Sequence, residues 1–217
     1  VLGLERTRRE ALVTKTMRGI KMKVEFSKGN KKLPKSTYIL NVGSALDCPS
    51  EKLGLCPVAK ECYAKKAERI YPQVKPFRDR QRAVFDDVSA MDIATAIIEA
   101  KRRSRTPMTK FRFSEAGDFA DQADVDKMAD VCEILSNEGF KCYGYTARTD
   151  LDLSRLILVA GVMISNNLNR KKWMDQGANR FDQVDKFSGK RLRCVADCTI
   201  CDLCSRMRGK VIEVEKH

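Results

Sequence analysis

Hydrophobic and polar positions change period repeatedly along this chain, and each change marks an element. Residues 38–42 (YILNV) form a short β-rich run that opens into an irregular loop carrying Pro49, Gly54 and Pro57. From 61 to 69 (ECYAKKAER) the composition turns helical, which sets Cys62 at a loop-to-helix junction. Pro72 and Pro76 interrupt, and residues 78–105 then read as one helix with Ile93, Ala94, Ile97 and Ile98 as its apolar stripe. Phe111-Arg112-Phe113 alternates as a strand and runs into the turn Ser114-Glu115-Ala116-Gly117-Asp118. Val125, Met128, Ala129, Cys132 and Leu135 then recur at helical spacing up to Gly139, with Cys132 as a small core residue. Residues 141–146 predict a third strand, 152–159 a short helix, 162–165 a fourth strand and 170–177 another helix. Further strands are expected at 180–184 and 211–214.

Strands alternating with helices imply βαβ units around parallel strands. The expected fold is α/β: a partial (β/α) barrel or an open parallel sheet of about five to six strands, with cysteine-rich metal- or cluster-binding loops. The alternating region falls short of the roughly 250 residues of a closed eight-fold barrel. In either architecture ligands gather at the carboxyl ends of the strands. The first cysteine loop, the SEAGD turn, the segment 143–149 and Asn166-Asn167 all follow strands and should share that face.

Charge changes the picture at the chain's ends. The 217 residues carry 42 Lys+Arg against 29 Asp+Glu, a net +13. Residues 1–36 hold 11 of those cations against Glu5, Glu10 and Glu25, and so supply +8. Such a segment is either a solvated arm or an arm that recruits a polyanion. Three parts follow: a basic N-terminal arm over 1–36, an α/β core over 37–190, and a cysteine-rich module with the final strand over 191–217. No apolar run is long enough to span a membrane, and charges occupy the N-terminus where a secretion signal needs apolar residues. A cytoplasmic protein with no membrane partner is expected; protein partners cannot be read from the sequence.

Nine cysteines are many for this length. Their odd number and tight clustering favour ligation over disulfides. Cys48, Cys56 and Cys62 form C-x7-C-x5-C, and Cys194, Cys198, Cys201 and Cys204 form C-x3-C-x2-C-x2-C. The first gaps suit a zinc finger poorly, whereas a [4Fe–4S] cluster tolerates them and leaves one iron open when only three thiolates are supplied. The second group can close a site alone. One or two [4Fe–4S] clusters are the expected cofactors, with zinc as the alternative metal; Cys142 or His217 is open as fourth ligand of the first site.

The SEAGD turn is the second constellation. Gly117 allows close backbone approach, and Asp118 or Glu115 can receive an amine or act as a base; the same residues equally suit a helix N-terminus. Tyr143, Tyr145 and Thr146 with Arg148 (YGYTAR) bring aromatic and guanidinium groups to that face, for base stacking or for packing.

These segments together resemble a known family. FSKGNKKLPKSTYILNVGSALDCPS, LCPVAKECYAKKA, FRFSEAGDF, YGYTARTD, the C-terminal cysteine run and VIEVEKH are similar, in that order from Phe26 to His217, to the gene product 88 family of phage and plasmid proteins. Phage origin would put the protein in the host cytoplasm. A remoter, topological resemblance is to the radical S-adenosylmethionine superfamily: a cysteine loop after the first strand, then a turn with a glycine and an acid after the second. That likeness implies S-adenosylmethionine as a further cofactor, its amino group falling to Ser114, Glu115, Gly117 or Asp118, and an auxiliary cluster on the C-terminal cysteines. The expected function is an iron–sulfur redox or radical enzyme, with Asp118 and Glu115 as catalytic residues, acting on or beside nucleic acid. The alternative is a non-enzymatic, metal-stabilised protein that binds nucleic acid or senses redox state.

Overall fold

The computed structural model describes residues 10–15, 21–165 and 171–215. Its strands are β1 (Glu10–Lys15), β2 (Lys21–Lys28), β3 (Thr37–Leu40), β4 (Lys110–Phe113), β5 (Lys141–Thr146), β6 (Gly161–Ser165), β7 (Asn179–Val184), β8 (Leu192–Arg193) and β9 (Val211–Glu215). Its helices are α1 (Pro49–Lys52), α2 (Tyr63–Ile70), α3 (Val74–Asp87), α4 (Ala90–Arg103), α5 (Gln122–Asn137), α6 (Ser154–Val159), α7 (Lys171–Asp175) and α8 (Leu203–Arg206), with a 3-10 turn at Ala59–Glu61.

The described strands build one open sheet in the order β1-β2-β3-β4-β5-β6-β7-β9-β8. β1, β2 and β3 pair antiparallel, and every pairing from β3 onward is parallel. From β3 to β7 each new strand is laid beside the last, so the chain winds in one direction without the reversal of a doubly wound sheet. The mixed α/β class is as expected, and the sheet does not close. The expected five to six strands fall short because β1, β2 and β8 lie outside the alternating region. Within the segment expected to be a basic arm, Lys21-Met22-Lys23-Val24-Glu25-Phe26 has the two-residue period of a half-buried strand. Val24 and Phe26 are fully buried in the core.

The residues expected to form one helix over 78–105 form two. Val88 leaves the helix, and the Ser89 hydroxyl accepts the Asp92 amide at 3.1 Å, capping a second start. Register divides the sheet's two faces. Tyr38, Phe111 and Cys142 align, as do Leu40, Phe113 and Gly144; the five side chains join the core, and the Phe113 ring fills the space beside Gly144. The opposite parity puts Ile39, Arg112, Tyr143 and Gly161 in one row and Tyr145 beside Met163 in the next. This second, inner face carries Arg112, Tyr143 and Tyr145. Among the described residues no helix is long and apolar enough to cross a membrane.

Candidate functional site

Both the first cysteine loop and the SEAGD turn leave carboxyl ends of neighbouring parallel strands, β3 and β4, and a single carboxylate joins them to β5. Asp118 Oδ2 accepts from Ser50 Oγ (2.6 Å) and the Ala147 amide (2.8 Å), while Oδ1 accepts from Thr146 Oγ1 (2.7 Å) and the Phe119 amide (2.9 Å). Burial pushes its pKa up, against the pull of those four donors. A carboxylate so occupied has no oxygen free for a substrate. Its work is to position Ser50, two residues from Cys48, over β4 and β5. Thr146, expected to touch a cofactor, is a partner in the same node.

Gly117 makes the turn possible. Its φ is +71°, and a Cβ there would stand 2.6 Å from the carbonyl oxygen of Gly43. The β3 and β4 turns therefore touch backbone to backbone. Ser114 holds a left-handed φ of +53° without being glycine, and its buried hydroxyl has no hydrogen-bond partner among the described residues. Glu115 stays half-buried, taking the Asn30 amide on Oε1 at 2.7 Å, and its carbonyl accepts the Tyr63 hydroxyl at 2.9 Å. Tyr63 follows Cys62, so this contact ties α2 to the turn.

A second buried node holds the chain before Cys48. Glu68 on α2 accepts from the Ala45 and Leu46 amides, from Ser44 Oγ and from Arg78 of α3 at 2.7 Å. Burial alone would raise the Glu68 carboxyl, but Arg78 and these donors outweigh it and hold the pKa below the ordinary value. Neither Glu68 nor Arg78 stands out in the sequence, where both read as helix-surface charges. The only hint is their place on helices flanking a cysteine loop.

The C-terminal cysteines lie across the inner face. A Cβ on Gly161 would stand 2.3 Å from the Cys204 carbonyl oxygen, and the Tyr145 hydroxyl is 3.3 Å from Cys204 Sγ. Backbone bonds fasten the first half of the segment: Cys194 N to Glu213 O (2.7 Å) and Cys198 N to Lys32 O (2.8 Å). Asn179 of β7 donates to Met207 O at 2.8 Å. Between segment and sheet runs a narrow cleft lined by Lys110, Tyr143, Tyr145 and all four C-terminal cysteines. Tyr143 and Tyr145 thus face the cysteines, and Tyr145 also packs edge-on against Phe181 with centroids 5.2 Å apart.

All seven candidate ligands are free thiols and half-buried. Cys48 and Cys204 are both pushed up to about 11, chiefly by burial, so these thiols are protonated at neutral pH and metal binding would release their protons. A thiolate at Cys56 would disfavour ionisation of Cys48, one at Cys62 that of Cys56, and one at Cys194 that of Cys198 and Cys204. The donors suit a soft metal or an iron–sulfur cluster. Among the described residues, however, no group of three or more such side chains converges closely enough to hold a metal ion. Ligation requires the thiols of each loop to turn toward a common point.

Cys132 and Cys142 sit in the core, the Cys142 thiol 3.6 Å from the Cys132 carbonyl oxygen. Asn166, Asn167 and His217 lie outside the described residues. Arg112 has no role evident in the sequence beyond its strand. It occupies the inner face with its guanidinium over the Tyr145 ring at 4.9 Å.

A family model described as gene product 88 matches residues 8–168. That span takes in the first cysteine loop, the SEAGD turn and the YGYT strand, and stops before the C-terminal cysteines. No curated protein and no solved structure matches the chain.

Proposed function

The chain belongs to the gene product 88 family, and from that premise we propose that it is an iron–sulfur protein with a core akin to that of radical S-adenosylmethionine enzymes, acting as a redox or radical enzyme on or beside nucleic acid. The reading is carried by the setting of two cysteine groups against one sheet. One lies at the carboxyl ends of β3 and β4, anchored through Ser50 to Asp118; the other lies over the inner face of β5 and β6. Cys48, Cys56 and Cys62 would hold one [4Fe–4S] cluster and Cys194, Cys198, Cys201 and Cys204 another. Such clusters supply one-electron transfer and, where only three thiolates bind, an iron open to a ligand. One-directional winding from β3 to β7 supports the kinship, as does the cysteine loop that follows the first parallel strand. S-adenosylmethionine would meet Ser114, Glu115 and the Gly117 turn.

Basic residues support the nucleic-acid part. Lys31, Lys32, Lys35, Arg103, Arg105 and Lys141 are exposed at the amino ends of β3, β4 and β5. Backbone bonds from Thr109 to Ser36 (3.0 Å) and from Lys141 to Thr109 (2.9 Å) hold these segments side by side. None of the six forms a salt bridge among the described residues. A second reading, a non-enzymatic protein stapled by zinc or a cluster, is favoured by one observation: between β7 and β9 the chain forms only a two-residue strand and a four-residue helix, so four thiolates there suit a structural metal.

Anaerobic purification with iron, sulfide and zinc determination and an absorption spectrum separates the readings. About four iron and four sulfide per cluster are expected. Colourless protein with stoichiometric zinc would transfer the assignment to the second reading.

A further inference from the structure

Strand β4 reads Lys110-Phe111-Arg112-Phe113 and continues into Ser114. Its alternation sends both phenylalanines into the helix-covered core and both cations to the inner face. Of the buried side-chain atoms lacking a hydrogen-bond partner among the described residues, three belong to this stretch and its neighbour: Thr37 Oγ1, Arg112 Nε and Ser114 Oγ. All three can donate. Thr37 aligns with Lys110 across the β3–β4 pair.

The other arginines of the interior are treated differently. Arg78 is paired with Glu68, Arg82 with Asp124 and Arg148 with Asp150. Arg112 has no salt bridge among the described residues; a tyrosine ring supports its guanidinium from one side. Glu115, the nearest acid along the strand, already accepts the Asn30 amide. Its Nε is withdrawn from water without a partner, which is costly, and a planar fork matches the two oxygens of a carboxylate or phosphate. Lys110, two residues earlier on the same face, lines the cleft beside Tyr143 and Tyr145 and likewise forms no salt bridge among the described residues.

We propose that the inner face of β3 and β4 is a binding site for the carboxylate or phosphate group of a small-molecule ligand, with Arg112 as its principal contact, Thr37, aligned with Lys110, as a further donor and Lys110 as the cation at the cleft. Tyr145 fixes the plane of the Arg112 fork. The site is independent of any metal.

The test is titration of the protein as purified, metal content unchanged, with inorganic phosphate and separately with acetate, against chloride at matched ionic strength. Thermal unfolding and calorimetry are the readouts. A saturable rise in Tm is expected with one of the two anions, and which one responds identifies the ligand's group. R112Q should weaken that anion by about ten- to a hundredfold, R112K should retain part of the response, and K66Q, an exposed lysine on α2, should leave it intact. Equal responses in the wild type and R112Q, or none to either anion in the wild type, would overturn the proposal. So would a response that emerges only after chelation, because Arg112 would then serve the thiolate centre. Absence of iron would remove the cluster assignment and leave this titration unaffected.

Discussion

Gly117 and Glu68 show how single residues hold the first cysteine loop. Alanine at 117 must adopt a positive φ and displace the Gly43 carbonyl, so Gly117→Ala should cost about 1–3 kcal/mol in denaturant unfolding, with a looser Cys48 loop. Glu68→Gln leaves Arg78 buried without its counter-charge, a loss of about 3–5 kcal/mol for such pairs. The pH dependence has a definite sign. A glutamate held below its ordinary value, near about 4.3, contributes stability above that value and loses it as pH falls through the folded pKa. Wild-type stability should therefore decline with acid below about pH 4, and Glu68→Gln should flatten that part of the profile; an unchanged acid limb would assign the decline to other carboxylates. The cysteines can be picked out in the sequence because their spacing is local. Asp118 is recognisable there only as an interesting acid. Its anchoring role depends on Ser50 and Thr146, 68 and 28 residues away along the chain, and no local pattern encodes such distances.

At the scale of elements, strands β3 to β6 and helices α4 and α5 follow from periodicity, because each buries an apolar face. The departures have physical causes. Ser89 splits one amphipathic pattern into α3 and α4 because a single hydroxyl can cap a new helix without disturbing the apolar stripe. β2 is masked in the sequence by its lysines, which draw attention to charge, although Val24 and Phe26 carry the alternation. The C-terminal segment has weak periodicity since it packs by backbone bonds and close approaches, such as that of Gly161 to the Cys204 carbonyl. On the metal reading, thiolate ligation replaces the apolar core this segment lacks. Chelation, or Cys204→Ser, should then speed tryptic cleavage after the exposed Arg206 and Lys210 while β3 to β6 stay protected. Equal cleavage with and without metal would show that the segment holds by packing alone.

Across the whole molecule, charge is polarised along the strands. Exposed cations gather at the amino ends of β3 to β5, whereas Glu115, Asp118, Asp121, Asp150 and Asp152 follow the carboxyl ends. On the proposed nucleic-acid reading, the amino-end edge of the sheet would be the polyanion-binding surface, and Lys31, Lys32 and Lys35 of the basic arm expected from the sequence belong to it. The double substitution Arg103→Glu and Arg105→Glu should weaken binding to duplex DNA. It should also reduce the slope of log K against log salt by about two units, at roughly 0.9 for each phosphate no longer neutralised. Reversal of Lys66, an exposed cation away from that edge, should leave the slope unaltered.

The strand order also sets a timetable. β9 lies between β7 and β8 although it follows both in the chain, so β7 leaves the ribosome with one edge bare. At about 5–20 residues per second, the stretch from Val184 to Val211 takes a few seconds to synthesise. During that interval the nascent sheet presents an open hydrogen-bonding edge and an uncovered aromatic surface to its surroundings. Insertion of β9 then covers the bare edge of β7, while residues 194–204 settle over Tyr143 and Tyr145 and form the cysteine-lined cleft.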